Sequence, residues 1–194
     1  MDKRVIKTKT NLKNTLVAML KEKPFEKIEV TELCKRANAS RITFYMYYGD
    51  KYDLLHELYE DMNDEMYAYY AELQQTDNRE DDPFKSYQNL GKAIIHKYKE
   101  HMDFYQNVKM DGSKDLLFSY FDFSLKYLED FEEKYRNQLK PVYPPKQVVV
   151  TLMLGFWGFI YTGYYEGVDS DKLESDTMKM INSMIQANLF ERKQ

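Results

Sequence analysis

The sequence of 194 residues has few of the residues that form covalent or metal-based sites. It contains one cysteine, three histidines and seven glycines. A single thiol cannot form an internal disulfide, which is typical of proteins from a reducing compartment. His96 and His101 are five positions apart and fall on different faces of a helix, so they make a poor metal site. We therefore predict neither a disulfide framework nor a metal or other cofactor.

The motifs of common catalytic sites are also missing. The chain has no Ser-His-Asp grouping, no phosphate-binding loop and no paired-cysteine motif. A helical-bundle enzyme is one hypothesis, but nothing in these patterns favours it, and no catalytic residue is predicted. Cys34 falls inside a predicted helix, where a small buried core residue is favoured over a redox-sensing thiol.

Long apolar segments are limited to one stretch near the C-terminus. The first 20 residues have neither a long apolar run nor a small-residue cleavage site, so no secretory signal is expected. Residues 148–165 carry no charge over eighteen positions, which is the short limit for a membrane span. Because three glycines and Thr151 interrupt this segment, we predict a helix buried on all sides. We expect a cytoplasmic protein with no membrane contact.

Charge is distributed unevenly, although the formal net charge is only −4. Residues 1–52 hold twelve Lys or Arg and six Asp or Glu, a net charge of +6. The remainder is acidic, with a net charge of −10. A basic segment attached to an acidic body suits a protein that contacts nucleic acid at one end.

Helical periodicity runs through the chain, and no β alternation of useful length appears. We predict an all-α fold of about nine helices. Residues 1–52 are predicted to form a three-helix domain, whose basic charge suits DNA binding, and residues 53–194 a helical-bundle domain. The predicted helices cover approximately residues 8–22, 51–75, 83–98, 113–139, 148–165 and 173–189, with shorter helices between them.

The stretch from Val30 to Leu55 has the pattern of a helix, a tight turn and a second short helix. Asn38 can adopt the left-handed conformation that ends the first helix. Ser40 can accept the free amides at the start of the second. A serine-capped short helix after a tight turn is typical of a helix-turn-helix, in which the second helix enters the major groove of DNA.

The predicted DNA contacts lie on and around this second helix. Arg41, Ile42 and Thr43 open it, where base edges come within reach. Hydroxyl and ammonium groups further along can bind phosphates, which fixes the register without reading sequence. Phe44 and Tyr48 are interpreted as packing residues. The predicted contacts are Lys3, Arg4, Thr31, Arg41, Ile42, Thr43, Tyr45, Tyr47 and Lys51. Lys3 and Arg4 belong either to a basic arm that follows DNA or to a disordered tail, and Thr31 is also a predicted helix cap.

With these residues described, the N-terminal part resembles the TetR family of bacterial transcription regulators. The resemblance covers residues 4–58, with departures at Asn38, where glycine is usual, and at Tyr47, where histidine is frequent. The matching residues are Arg4, Thr8, Lys9, Leu12, Leu16, Leu20, residues 22–28, residues 30–33, Ala37, Ser40, Arg41, residues 43–45 and residues 50–55. The body is similar, more loosely, to the dihydroxyacetone kinase regulators of this family.

The resemblance implies a homodimer on a palindromic operator, with the last two helices as the dimer interface. It also implies a small-molecule effector that binds in the body and releases a repressor from DNA. The many aromatic residues suggest a cavity for an apolar or aromatic effector, although for each ring taken singly an ordinary core position is favoured. The candidates are Tyr69, Tyr98, Tyr120, Phe121, Trp157 and Tyr161. In a second hypothesis, the body has no small ligand and docks a protein partner.

Overall fold

The computed structural model describes residues 3–108, 130, 133–187 and 190–192 and confirms the predicted all-α class. Eight α-helices, one short 3-10 helix and two three-residue strands lie within the described residues, and residues 130 and 133–135 are helical as well. The 3-10 helix is Phe25–Lys27. The α-helices are α1 (Lys3–Leu20), α2 (Val30–Arg36), α3 (Arg41–Tyr45), α4 (Lys51–Asp77), α5 (Pro83–Glu100), α6 (Met102–Asn107), α7 (Pro145–Tyr165) and α8 (Ser170–Gln186).

The chain divides into two compact units. The first contains the described residues of Met1–Asp64 and Glu100–Leu116, and the second those of Glu65–Lys99 and Leu117–Gln194. The first unit therefore extends beyond the predicted boundary after residue 52 and takes in a second segment of the chain. That boundary, which divides the chain by function, stays a prediction.

The core of the first unit forms where the apolar side of α1 meets α2 and α6. Leu12, Leu16 and Met19 recur at helical spacing along α1, and all three are buried. Cys34 of α2 is also buried, as predicted for a core residue, and burial raises the pKa of its thiol. A raised pKa disfavours the reactive thiolate, which argues against a redox role.

Helix α1 begins at Lys3, five residues before the predicted start at Thr8. Lys3 and Arg4 therefore lie in the first helical turn and not in a disordered tail, whereas their predicted contact with DNA stays a prediction. No glycine or proline occurs between residues 3 and 20, so nothing in the sequence interrupts the helix there. The Thr8 hydroxyl also donates a hydrogen bond to the Arg4 carbonyl, 2.9 Å away within this extended start.

Helix α4 follows the predicted apolar stripe and ends at Asp77, two residues beyond the predicted end. Asp50 caps its start, because the Asp50 carboxylate accepts the amides of Tyr52 at 2.7 Å and Asp53 at 3.1 Å. Tyr59 in this helix stacks with Phe104 of α6 inside the first unit, with ring centroids 6.0 Å apart.

The second unit has a core formed by α5, α7 and α8. Tyr87, Val148, Phe156 and Ile181 are buried together, and the methionines of α8 pack around them. Gly91 of α5 allows a close approach, since a Cβ atom at this position would lie 2.0 Å from the Ile181 side chain. The sequence singled out the glycines of α7 for such contacts and did not include Gly91.

Helix α7 is not buried on all sides within one chain, so that prediction was wrong. Phe156 and Ile160 are buried, whereas Leu154 is 37% exposed and Tyr165 is 81% exposed. Gly163 does permit close packing, because a Cβ atom there would lie 2.6 Å from Leu173 of α8. None of the helices that the structure describes is long and apolar enough to cross a membrane.

A short antiparallel pairing was not predicted from the sequence. Strand β1 (Leu139–Pro141) pairs with β2 (Phe190–Arg192), with Leu139 opposite Arg192 and Pro141 opposite Phe190. Three-residue strands are too short to give a detectable alternation. Most of the helix predicted over residues 113–139 lies outside the described residues.

Candidate DNA-binding interface

Two local signals position α3, and both form as the sequence predicts. Asn38 has a φ of 53°, the left-handed conformation that ends α2. The Ser40 hydroxyl accepts the Thr43 amide at 2.9 Å, which caps the start of α3. The chain therefore leaves α2 and enters α3 with both helix ends fixed by residues of the turn itself.

The inner face of α3 holds the helix against the first unit. Phe44 is fully buried and Tyr48 nearly so, which confirms their predicted packing role. Their rings lie 5.4 Å apart between centroids. A helix of five residues has little stability of its own, so this buried aromatic contact is what keeps α3 in place.

The outer face of α3 is formed by four side chains that line one shallow depression: Arg41, Ile42, Tyr45 and Met46. The Arg41 guanidinium lies 6.0 Å from the centre of the Tyr45 ring, at the limit of a cation–π contact. Arg41, Ile42 and Tyr45 were predicted as DNA contacts, and all three are exposed. Met46 was not among the predicted contacts, although its position one turn after Ile42 places it on the same face.

Three further residues near α3 were predicted to contact DNA: Thr43, Tyr47 and Thr31. The Thr43 hydroxyl lies 2.8 Å from the Ser40 hydroxyl and so belongs to the cap. Tyr47 is half-buried. Thr31 is exposed, but α2 begins at Val30 after Glu29, so Thr31 is not the helix cap that was predicted.

Lys51 is turned toward the protein. Its ammonium donates hydrogen bonds to the carbonyls of Phe25, Glu26 and Ile28, each at 3.0 Å. These three bonds use all three ammonium protons. Burial also lowers the pKa of the Lys51 side chain. This geometry favours a structural role for Lys51, which closes the turn around the 3-10 helix, over the predicted phosphate contact.

Ion pairs within the first unit neutralise much of its positive charge. Lys9 pairs with Glu57 at 2.7 Å, and Lys13 pairs with Glu57 at 3.2 Å and also with Asp61. These contacts join α1 to α4. Both lysines are basic residues of the N-terminal surplus, whereas their carboxylate partners come from beyond residue 52.

Further ion pairs neutralise the end of α2. Arg36 pairs with Glu22 at 2.8 Å and with Glu32 at 2.9 Å, and Lys23 also pairs with Glu32. Arg41 keeps an exposed guanidinium on α3. Glu22 and Glu32 are already counted in the net charge of residues 1–52, so among these ion pairs only those that join α1 to α4 lower that surplus.

The predicted effector residues are only partly described. Tyr69 lies against His96, with ring centroids 4.3 Å apart, and Tyr98 is buried in α5. Tyr161 stacks on Tyr165 at 6.1 Å. Tyr120, Phe121 and the side chain of Trp157 lie outside the described residues. The effector site stays a prediction.

Residues 14–58 match the family of bacterial regulatory proteins called the tetR family. The uncharacterized HTH-type transcriptional regulator YxbF of Bacillus subtilis (strain 168) is 34% identical over 53 residues. That alignment covers 27% of this chain and only 14% of YxbF. The family match therefore covers a segment from α1 into α4, which contains α2 and α3.

Solved structures match over nearly the whole chain. A putative TetR-family transcriptional regulator from Syntrophomonas wolfei str. Goettingen has a TM-score of 0.76 at 12% identity, over 91% of this chain and 94% of its own. The SmeT–triclosan complex has a TM-score of 0.65 at 18% identity, over 93% and 90% of the two chains. The dihydroxyacetone kinase operon activator DhaS has a TM-score of 0.59 at 17% identity, over 93% and 97%.

Similarity at these identities shows the fold alone, so the predicted likeness of the body to dihydroxyacetone kinase regulators stays a prediction. The family match, the curated relative and the shared fold agree on one assignment. That assignment is a segment of the tetR family of bacterial regulatory proteins at residues 14–58, within a chain that has the fold of TetR-family structures.

Proposed function

We propose that this protein is a transcriptional regulator that binds a palindromic operator through α3 of two identical chains. The observation that carries the proposal is the exposed outer face of α3, fixed by the Ser40 cap and backed by the buried Phe44. A short, rigidly held helix with polar and aromatic groups outside is what the major groove accepts. A regulator of this kind acts in the cytoplasm, and the match of residues 14–58 to a family of regulators agrees with the prediction that it is not an enzyme.

The proposed homodimer forms through α7 and α8. In support, α7 exposes Leu154 and Tyr165, and its apolar run leaves a face that the same chain does not cover among the described residues. Burying apolar surface against a second copy would stabilise the dimer in proportion to the area removed from water. Two α3 helices would then contact half-sites about 34–36 Å apart, one turn of DNA.

The proposed regulator is a repressor that leaves the operator when a small apolar or aromatic effector binds the body. Aromatic side chains of the second unit support this, as does the fold shared with SmeT, which was solved with triclosan. An effector changes DNA binding only to the extent that it binds the two states of the dimer with different affinity.

A protein partner docked on the body is the alternative, and DhaS, described as an operon activator, shares the fold. Triclosan serves as the probe that separates the two. We expect the dimer to release a labelled operator duplex as triclosan is added, measured by fluorescence anisotropy, with no change of mass in sizing experiments. Undiminished operator binding at saturating triclosan would count against an aromatic effector site and favour the alternative.

Replacing Arg41 with alanine is expected to weaken specific operator binding by roughly 1–3 kcal/mol. The reason is that Arg41 is the exposed guanidinium of α3 and lies where base edges or phosphates come within reach. Affinity is measured at one fixed low salt concentration on a short palindromic duplex from the region upstream of the gene. The dimer should keep its mass in sizing experiments.

Arg79→Ala is the matched control, because Arg79 is also exposed but lies in the turn between α4 and α5. It should bind the operator as the wild type does. An equal loss of affinity in both variants would show a general charge effect, and no binding by the wild type to any such duplex would overturn the proposed function.

A further inference from the structure

Two exposed apolar side chains stand one turn apart on α3. Ile42 is 77% exposed and Met46 is 71% exposed. The Met46 amide donates to the Ile42 carbonyl at 3.0 Å, so the two residues share one helical turn. Scattered apolar residues are normal on a protein surface, but an adjacent pair next to Tyr45 forms a patch that suits a binding partner.

Ile42 and Met46 are exposed because the orientation of α3 is fixed by its other face. The opposite face of α3 is already filled by the buried side chains of Phe44 and Tyr48. The Ser40 cap and the left-handed Asn38 fix how the chain enters the helix. Rotating α3 to bury Ile42 and Met46 would expose two aromatic rings, so the observed orientation presents the apolar pair outward.

The positive charge of Arg41 beside Ile42 and Met46 favours DNA as the partner of this patch. The Arg41 guanidinium lies beside the patch and over the Tyr45 ring. An apolar pair flanked by an exposed cation is complementary to a major groove, where phosphates and guanine acceptors lie near the thymine methyl group. Of the groups on base edges in the major groove, the thymine methyl is the apolar one.

We propose that Ile42 and Met46 read thymine methyl groups in the operator, so that each half-site carries A·T pairs opposite this side of α3. This inference rests on the proposed function and specifies its base chemistry. Arg41 then supplies a polar contact from the same face, and the two apolar side chains discriminate thymine from cytosine by contact with the methyl group.

The test removes only the methyl groups. An operator is first selected from random duplexes by the purified dimer, and each thymine is then replaced by deoxyuridine, which keeps the base pair. We expect the wild type to lose about three- to fivefold in affinity at one or two positions per half-site, the effect of losing one buried methyl-sized contact. Ile42→Ala and Met46→Ala should bind the thymine operator more weakly and lose their sensitivity to deoxyuridine at those positions.

Ile6→Ala is the matched control, because Ile6 is also an exposed apolar residue, located in α1. It should keep the full sensitivity to deoxyuridine. Equal wild-type affinity for the thymine and deoxyuridine operators would overturn the inference while leaving operator binding intact. A change of oligomeric mass in Ile42→Ala, with sensitivity to deoxyuridine retained, would overturn it in favour of a protein contact. Failure to select any operator would overturn both proposals.

Discussion

Replacing Phe44 with alanine is expected to lower the free energy of unfolding of the first unit by about 3–5 kcal/mol and to abolish specific operator binding. Phe44 is fully buried and its ring contacts Tyr45 and Tyr48, each with centroids 5.4 Å apart. The substitution leaves a cavity beneath a helix of only five residues. Because α3 depends on this contact, its outer face would lose the fixed orientation that DNA recognition needs.

Tyr45→Ala is the matched variant, because Tyr45 is the neighbouring aromatic residue but is half exposed on the outer face. It should weaken DNA binding while changing the stability of the first unit by less than about 1 kcal/mol. Hydrogen exchange of the amides of α1 to α3 in urea reports the first unit separately from the second. Phe44→Ala with near wild-type protection of these amides would contradict the proposed role of the inner face.

Replacing Lys97 with methionine is expected to stabilise the second unit, and most strongly at low pH. Lys97 is buried in α5, 6% exposed, and burial lowers its pKa from 10.5 to about 7. At about 1.4 kcal/mol for each pKa unit, burial of the charged form costs up to roughly 5 kcal/mol. Methionine keeps the length of the side chain and removes the charge.

The direction of the pH effect follows from proton binding. Between pH 7 and about 10.5, the unfolded chain keeps the lysine proton that the folded chain has lost, so stability rises with pH in this window. Below pH 7 both states are protonated, and the full cost of burial remains. The gain in Lys97→Met should therefore be largest near pH 6 and shrink toward pH 10, as measured by urea unfolding at several pH values.

Lys92→Met provides the control on the same helix. Lys92 is half-buried, and its ammonium pairs with Asp77 at 2.7 Å. Losing this partly exposed pair should cost less than about 1 kcal/mol and leave the rise in stability above pH 7 unchanged. If the free energy of unfolding changed with pH in the same way in the wild type and in Lys97→Met, burial of the Lys97 charge would not be the cause of the pH dependence.

The features of the first unit that the sequence predicts well are those set by neighbouring residues. Asn38 ends α2 and Ser40 caps α3 through contacts within three residues, so residue type and spacing are sufficient. Phe44 and Tyr48 are predictable as packing residues because helical periodicity assigns them to one face. The same local signals explain why Arg41 and Ile42 could be assigned to the exposed face.

Contacts between residues distant in the sequence explain why the roles of Lys51 and Lys9 could not be predicted. Lys51 is a plausible phosphate ligand by sequence, and only the fold brings three carbonyls from residues 25–28 to its ammonium. Lys9 meets a carboxylate 48 positions away. The prediction that α7 is buried on all sides failed for a different reason. An apolar segment does not show whether its side chains are buried by the same chain or by a second one.

The internal ion pairs of the first unit bear on how the protein finds one operator within a genome. Non-specific affinity for DNA comes from the release of counterions by basic side chains, whatever the sequence beneath them. Since Lys9 and Lys13 are held by Glu57, Arg36 by Glu22 and Lys51 by backbone carbonyls, these four side chains are less available to displace counterions from bulk DNA. In the proposed regulator, this would weaken competition from the many non-operator sites and give the shape and chemistry of α3 a larger share of the selectivity.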